Sequence, residues 1–234
     1  MRHKIKIFLL VLTLVVCGCS HSDRETVFQS AAYAVFASGG YEDDVSIGEL
    51  ERHGDFGIGT INGLDGEMLI IDGVFYDAKV DGMVYRLSPG ERTPFATVTF
   101  FETDKSFDLS GQADYRSLQN ELDVRLPLEN IIYAIKITGK FSSLKLRSVP
   151  RQVPPYHELN LVLKDQRISQ LKDIEGTLIG YRFPKFLDGA NVAGYHFHFL
   201  SKDRLIGGHV LDCAVASCRV EVDETRSFTL KLKE

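Results

Sequence analysis

Three of the chain's seven histidines lie within fourteen positions, in the stretch GYHFHFLSKDRLIGGHVLD that spans residues 194–212. Neutral imidazole nitrogens are common ligands of divalent transition metals. Catalytic zinc sites use three protein ligands and leave a coordination position open, whereas structural zinc sites are closed by four. If His196, His198 and His209 share one face, their number therefore favours a catalytic metal site.

The same stretch predicts a β-hairpin that would bring these imidazoles together. We take residues 201–204 as a four-residue loop, which places His196 directly opposite His209. Gly207 then lies opposite His198 and leaves room for the ligands. Opposed residues share a face of a sheet, with Cβ atoms about 5 Å apart. A β-bulge at Gly207-Gly208 would change this register. A His-x-His pair alone arises often by chance, so the third histidine makes the metal site the favoured interpretation.

The surrounding pattern predicts short strands joined by tight turns. From Phe56 onward glycines recur every few residues, and Asp72-Gly73 and Asp81-Gly82 are typical of hairpin turns. A further hairpin is predicted around Gly139-Lys140, between strands at residues 131–137 and 142–149. The expected architecture is α/β (α+β), with two β-rich halves of mixed sheet packed together with a few helices.

Four helical segments are predicted, two near the beginning of the chain and two more at residues 114–122 and, in part, at 156–171. Residues 25–38 (ETVFQSAAYAVFAS) have an amphipathic pattern that stops at Gly39-Gly40, so we expect one helix there. Ser46 and Glu49 have the spacing of a capping box, which predicts a second, short helix.

Composition and charge exclude several classes of partner. The chain has 234 residues, a net charge of −5, 15 phenylalanines and no tryptophan. The first 18 residues contain three basic side chains and no acidic one, so the remainder is still more acidic. This balance argues against a nucleic-acid or anionic-membrane partner. The length allows a substantial core, as one domain or as two small, tightly packed ones.

The first 18 residues have the pattern of an export signal. A basic start is followed by an apolar run near ten residues, which is too short to span a bilayer of about 30 Å. The run ends in Val16-Cys17-Gly18-Cys19, which resembles a bacterial lipoprotein signal with Cys19 as the lipid anchor. Residues 19–24 are then a short tether and 25–234 the catalytic domain. We expect export and anchoring in the cell envelope; cleavage without lipidation and secretion is the alternative.

Two cysteines, Cys213 and Cys218, lie beyond the leader. Strands ending in HVLDC and starting with CRVEV around a short Ala-Val-Ala-Ser link would bring them close. In an oxidising compartment such a pair can form a disulfide, which we take as a prediction, although the register could also leave the two side chains pointing apart.

Several long motifs, in order, resemble bacterial α-acetolactate decarboxylase, and the resemblance extends over residues 27–230. The motifs are GYHFHFLSKDRLIGGHVLD, HGDFGIGTINGLDGEMLIIDGVFYDAKVDG (residues 53–82), RTPFATVTFF (92–101) and LKLRSVPRQ (144–152). This resemblance implies a zinc enzyme, or one using another divalent metal, that converts 2-acetolactate to acetoin and carbon dioxide, with the metal in a cleft between two β-rich halves.

The resemblance also implies roles for individual residues. The three metal ligands fall on His196, His198 and His209. The glutamate of the LDGE motif falls on Glu67, the threonine of GIGT on Thr60, and the arginine before the Ser-Val-Pro motif on Arg147. Family members commonly continue into an acidic tail that can approach the metal, whereas this sequence stops at Glu234. No second glutamate is therefore assigned, and a homodimer is a further expectation.

The chemistry of decarboxylation fits these assignments. Loss of carbon dioxide from a β-keto acid leaves an electron pair, and a metal on the ketone oxygen stabilises the resulting enediolate. Arg147 could hold the carboxylate or the enediolate, and Glu67 is the more natural acid or base. Without the resemblance, Arg147 would be assigned to a solvated strand face and Glu67 to a turn. His53 and His157 match no ligand spacing and are taken as structural.

Two other functions use the same histidines. A zinc hydrolase would need them but would not require Arg147 beside them. A non-catalytic metal-binding lipoprotein would need neither Glu67 nor Thr60.

Overall fold

The computed structural model describes residues 24–43 and 45–233. The predicted signal peptide (residues 1–18) and the proposed anchor Cys19 lie outside these residues. Within them, no helix combines the length and the apolar character needed to cross a lipid bilayer.

Strands dominate the described chain, and its helices are few and short. In chain order, the elements are β1 (Thr26–Ser30), α1 (Tyr33–Ala37), α2 (Ile47–Leu50), β2 (Phe56–Gly59), β3 (Glu67–Ile71), β4 (Val74–Ala78), β5 (Val84–Arg86), β6 (Ala96–Thr99), β7 (Lys105–Asp114), α3 (Tyr115–Arg125), β8 (Ile132–Ser148), α4 (Leu159–Val162), β9 (Arg167–Phe183), β10 (Gly194–Ser201), β11 (Gly207–Thr225) and β12 (Ser227–Lys231). Short 3-10 turns follow α4 (Leu163–Asp165) and β9 (Lys185–Leu187).

The first sheet has seven strands in the order β12-β1-β6-β2-β3-β4-β5. Only the pair β1 and β12 is parallel within the described chain; the other neighbours are antiparallel. The predicted hairpin turn at Asp72-Gly73 is confirmed, with φ of +52° and +72°. Two positive φ values match the twist of a tight hairpin, and glycine adopts such values without a steric penalty. The turn at Asp81-Gly82 likewise joins β4 to β5.

The second sheet has five strands in the order β10-β9-β8-β11-β7. Because β10 also pairs with β11, strands β8, β9, β10 and β11 close a ring in which each strand is bonded to two others. The interior of this ring is hydrophobic and includes Phe197 and Phe199 of β10, which are fully buried; Phe199 meets Phe141 edge to face at 5.5 Å. These side chains alternate with the histidines of β10, which therefore project to the other face.

The two sheets pack face to face over a buried cluster that includes Ile58 and Leu69 from the first sheet and Ile179 and Leu200 from the second. The buried hydroxyl of Tyr181 in β9 donates to carbonyl oxygens of the first sheet, at 3.2 Å and 3.3 Å. This arrangement confirms the expectation of two β-rich halves with a few helices.

Two predicted elements are wrong. Residues 25–38 form β1 and the five-residue helix α1, separated by Ala31 at φ +59°, instead of one helix. The predicted hairpin at Gly139-Lys140 is the middle of β8, a single strand of 17 residues. Gly139 is required there by close packing, because a Cβ would collide with the carbonyl oxygen of Ser217 in β11.

The predicted disulfide is also wrong. Cys213 and Cys218 are both free and buried. They lie on one continuous strand, β11, and not on two strands joined by a link. Five residues of strand span about 16 Å, whereas the Cα atoms of a disulfide are usually less than about 7 Å apart.

Candidate metal centre

The three histidines share one face of the β10–β11 pair, as the sequence predicts, although the register differs. His198 lies opposite His209, and Leu200 lies opposite Gly207. The predicted register is therefore displaced by two residues, and an even displacement preserves the face on which each side chain projects. Gly207 does not make room beside His198. A Cβ there would instead lie 3.0 Å from the Cβ of Ala78 in the other sheet.

The three imidazoles converge on one point. One nitrogen from each of His196, His198 and His209 lies within 4.8 Å of the others, and these residues form the candidate metal-binding group within the described chain. Nε2 of His196 is 3.1 Å from Nδ1 of His209. Nitrogens this close can face a single ion from several sides, which is the arrangement expected of a three-histidine centre.

A backbone contact fixes the orientation of His198. Its Nδ1 lies 2.7 Å from the carbonyl oxygen of Met68 in β3, and because a carbonyl accepts only, Nδ1 carries the proton and donates. The lone pair of Nε2 is then free, and this buried atom has no hydrogen-bond partner among the residues described. Such a contact from the distal nitrogen is typical of metal-binding histidines.

Burial keeps the imidazoles neutral, which is the form that binds metals. Burial, together with the positive charge of Arg147, lowers the pKa of His196 to about 3. Burial also holds the pKa of His198 and of His209 well below the usual value, and in each case His196 adds to the effect.

Glu67 enters this group from the other sheet. It is the first residue of β3 and follows Gly66, whose φ of +96° starts the strand. Its Oε2 lies 3.4 Å from Nε2 of His198. Burial raises the pKa of Glu67 to about 7, against the lowering effect of Arg147. The carboxyl group is therefore beside the histidines and able to exchange a proton near neutral pH.

Arg147 faces the same centre from β8, where it lies opposite His209. Its side chain is 17% exposed, and its Nε lies 3.8 Å from Oε1 of Glu67. It is thus not on a solvated strand face. The nearby Arg151 has a side chain that is 59% exposed and pairs with Asp65 at 3.6 Å.

Thr60 follows β2 and is buried in the cavity wall. Its hydroxyl donates to the carbonyl oxygen of Gly66 at 2.7 Å. The hydroxyl thus ties the end of β2 to the turn that precedes Glu67. His53 lies elsewhere and stacks on Phe28 at 3.9 Å.

These side chains line a cavity of about 230 Å³ that also has a large apolar part. Sequence reasoning missed the apolar side chains. Five of them are Phe36, Leu64, Phe95, Leu159 and Leu163. Only the four-residue spacing of the last two, which places them on one side of a helical turn, could have indicated a shared face.

Comparisons with known proteins agree with this geometry. The family model for alpha-acetolactate decarboxylase matches residues 27–234. The chain is 42% identical to the alpha-acetolactate decarboxylase of Methanosarcina mazei over 218 residues, which cover 93% of this chain and 76% of that protein. It is also 42% identical to that of Methylococcus capsulatus, over 92% of this chain and 82% of that protein.

A solved structure of alpha-acetolactate decarboxylase from Bacillus subtilis strain 168 superposes with a TM-score of 0.88 at 33% identity, over 89% of each chain. The similarity in sequence and in structure thus extends over nearly the whole described chain. The chain belongs to the alpha-acetolactate decarboxylase family, a family of carboxy-lyases.

Proposed function

We propose that this protein converts 2-acetolactate to acetoin and carbon dioxide, using a divalent ion, with zinc as the first choice, held by His196, His198 and His209. The observation that carries the proposal is the meeting of three neutral imidazoles, a buried carboxyl group and a guanidinium in one cavity between the sheets. Membership of the family supports the substrate.

The donor set fits such an ion. Three imidazole nitrogens suit zinc and related divalent metals. Without an ion, the buried Nε2 of His198 has no hydrogen-bond partner among the described residues, and an unsatisfied polar atom is costly in a protein interior. When bound, the ion supplies positive charge that stabilises the electron pair left by the departing carbon dioxide.

Arg147 is proposed to bind the anionic part of the substrate. A guanidinium grips a carboxylate through two parallel hydrogen bonds, and its charge is permanent at physiological pH. Its Nε has no hydrogen-bond partner among residues 24–43 and 45–233, so this donor is available to a ligand. After decarboxylation the same donors would face the enediolate.

Glu67 is proposed to deliver the proton that the product requires. Replacement of the carboxylate by hydrogen leaves acetoin, so one proton must reach carbon. A carboxyl group with a pKa of about 7 is protonated in a large fraction of molecules at neutral pH and can act as that donor. Thr60 is proposed to hold Gly66, and through it the backbone of Glu67, in place.

The hydrolase alternative gains no support from the cavity, because Arg147 occupies it beside the histidines. A purely metal-binding role likewise gives no use to the buried pair of Arg147 and Glu67.

Export and anchoring through Cys19 are further proposals. Loss of lipid labelling in a Cys19→Ser variant would support the anchor, and unchanged labelling would exclude it. A homodimer is tested by light scattering on the purified protein.

The experiment for the proposed function is a colorimetric acetoin assay on purified protein with 2-acetolactate. We expect acetoin from the parental protein, loss of activity after chelation, and recovery when one equivalent of zinc is returned. A protein with a full equivalent of metal that makes no acetoin would overturn the proposal. Hydrolysis of a model ester by that same protein would favour the hydrolase.

A further inference from the structure

The cavity has two chemically distinct parts that come from different elements. The three histidines, Glu67 and Arg147 come from β3, β8, β10 and β11, all of them strands. The apolar part comes mainly from α1, from α4 with its 3-10 turn, and from loop residues such as Leu64 and Phe95. A ligand in this cavity therefore meets charged and metal-binding groups in one part and hydrocarbon in the other.

Two leucines of the second helical segment line the apolar part. Leu159 begins α4 and is 8% exposed, and Leu163 begins the 3-10 turn and is half-buried. Their spacing of four residues places them on one side of the helical turn. Leu161, between them, is 46% exposed and does not line the cavity.

The apolar wall is held rigidly from behind. Leu159 and Val162 belong to a buried cluster with Phe36 and Phe95, whose rings stack at 5.1 Å. A wall packed in this way cannot yield freely to a larger ligand, because close-packed side chains transmit strain to their neighbours.

The proposed substrate has a matching division. A 2-hydroxy-3-oxo acid carries its oxygens on three adjacent carbons, and its only apolar groups are the alkyl substituents at C2 and on the ketone. Since the metal-binding and charged groups receive the oxygens, the alkyl groups are left to the hydrocarbon surface. We infer that Leu159 and Leu163 are specificity-determining residues that limit the length of these alkyl groups; this inference rests on the proposed function.

The size of the effect follows from the chemistry of hydrophobic pockets. One methylene that fits or fails to fit such a pocket changes kcat/KM by roughly 10- to 200-fold. Shortening Leu163 should therefore raise the kcat/KM of a substrate one methylene longer, relative to 2-acetolactate, by about tenfold. Leu163 is the better test position, because it is half-buried and packs against the buried cluster without being one of its fully buried members.

The experiment compares 2-acetolactate with two homologues, one with ethyl in place of the C2 methyl and one with ethyl in place of the ketone methyl. The parental protein, Leu163→Ala, Leu163→Phe and the matched control Leu161→Ala are assayed for carbon dioxide release, and metal content is measured for each. We expect Leu163→Ala to raise the ratio of kcat/KM, homologue over 2-acetolactate, for at least one homologue. Leu163→Phe should lower that ratio, and Leu161→Ala should leave it within about twofold of the parent.

Unchanged ratios for both homologues in both Leu163 variants, with normal metal content, would overturn the inference and leave the proposed function intact. Loss of metal or of folding in both variants would overturn it as well, since Leu163 would then be structural. Failure of the proposed function is seen separately, as a metal-loaded parental protein that releases no carbon dioxide from 2-acetolactate.

Discussion

Burial shifts the pKa values of the ionisable side chains of the cavity in opposite directions. It lowers the pKa of the histidines, with His196 at about 3, and raises that of Glu67 to about 7. Both shifts favour the uncharged form of the group. A guanidinium keeps its proton throughout, so Arg147 is the fixed positive charge among these side chains. The division of roles between Glu67 and Arg147 thus follows from side-chain chemistry in one shared environment.

Replacement of Arg147 by lysine should damage turnover much more than folding. An ammonium keeps the charge but cannot form two parallel hydrogen bonds to a carboxylate or enediolate. Loss of one well-placed charge-assisted contact in the transition state costs about 3 kcal/mol, or roughly a hundredfold in rate. Steady-state kinetics and elemental analysis should show reduced kcat/KM with normal metal content.

The matched control is Arg151→Lys, at an arginine whose side chain is 59% exposed. It should retain the parental rate. If Arg147→Lys is as active as the parent and Arg151→Lys is not, the substrate-binding role belongs to Arg151.

A protein carrying His196→Ala and His198→Ala should purify without the divalent ion. Two of three ligands are then missing, and a single imidazole holds such an ion weakly. Elemental analysis is the measurement, and His157→Ala, at an exposed histidine that does not line the cavity, is the control. A full equivalent of metal in the double variant would refute the assignment of the ligands.

At this scale the sequence predicted which polar and metal-binding residues the structure brings together in the candidate site. The types and spacing of the histidines were sufficient, because a register error of two residues leaves each side chain on its face. The reason for a glycine at position 207 was not predictable, because the side chain that a Cβ there would approach, Ala78, lies on the other sheet. The apolar wall was missed for the same reason, as Leu159 and Leu163 acquire their role only through the packing of α4 over the cavity.

At the scale of elements, the ring of β8, β9, β10 and β11 positions the histidines. Strand β10 is bonded to β9 along its whole length and to β11 over residues 198–200, which fixes the part of β10 that carries His198. Close approach within the ring depends on glycine: a Cβ on Gly180 in β9 would lie 2.7 Å from Cδ1 of Phe197 and would also collide with the carbonyl oxygen of His196.

Gly180→Ala should therefore displace β10 and disturb the metal centre. Overpacking of this kind costs about 1–3 kcal/mol of folding free energy. We expect a lower midpoint in urea and weaker zinc binding in competition with a chelator. Gly90→Ala is the control, because a Cβ at Gly90 meets no atom within 4 Å. Equal stability of the two variants would show that β9 and β10 can separate at no cost.

The two cysteines of β11 should remain thiols even after export. A chain that lacks the first 19 residues should give two free thiols when it is denatured without reductant after oxidative purification. The reason is the strand spacing of about 16 Å between Cys213 and Cys218. Burial raises the pKa of Cys213 to about 12, so its reaction in the native protein should also be slow. Absence of titratable thiols would contradict the single continuous strand.

Element prediction failed where partners are distant in sequence. Gly139 was assigned to a turn because glycine is frequent in turns. The structure instead requires glycine there because β11, about 80 residues later in the chain, passes close to its backbone. Residues 26–30 have a helical pattern, but pairing with β6 and β12 makes them a strand. The capping box at Ser46 was predictable, since Ser46 accepts a hydrogen bond from the backbone of Glu49, three residues away.

At the scale of the molecule, both sheets carry carboxyl groups in their packed interior. Asp77 of β4 is fully buried, with Lys79 3.6 Å away, and burial raises its pKa to about 8. Burial also raises the pKa of Asp223 in β11 to about 7. The folded chain thus holds protons on these groups that the unfolded chain releases at a pKa near 4. Their contribution to stability is fully present below about pH 4 and is lost as the pH rises towards 8.

Asp77→Asn should remove part of this pH dependence. Between pH 5 and pH 8 the parental free energy of unfolding should fall more steeply than that of the variant, by up to about 1.4 kcal/mol per pH unit. Urea unfolding in the presence of a chelator, which removes the contribution of metal binding, is the measurement. Asp81→Asn is the control. The hydrogen bond with Tyr85 lowers the pKa of Asp81, so this carboxyl group adds no pH dependence to the free energy of unfolding above pH 5. Parallel curves for the parent and Asp77→Asn would show that Asp77 ionises normally.

The parallel pairing of β1 with β12 has a consequence for biosynthesis. The ribosome makes β1 about 200 residues before its partner, which at 5–20 residues per second is a wait of roughly 10–40 s. During that interval the backbone amide and carbonyl groups on one edge of β1 lack their partner strand and can pair with a strand of another chain. The seven-stranded sheet is thus completed only after β12 has been translated, and a holdase that shields the nascent β1 strand should raise the yield of native protein.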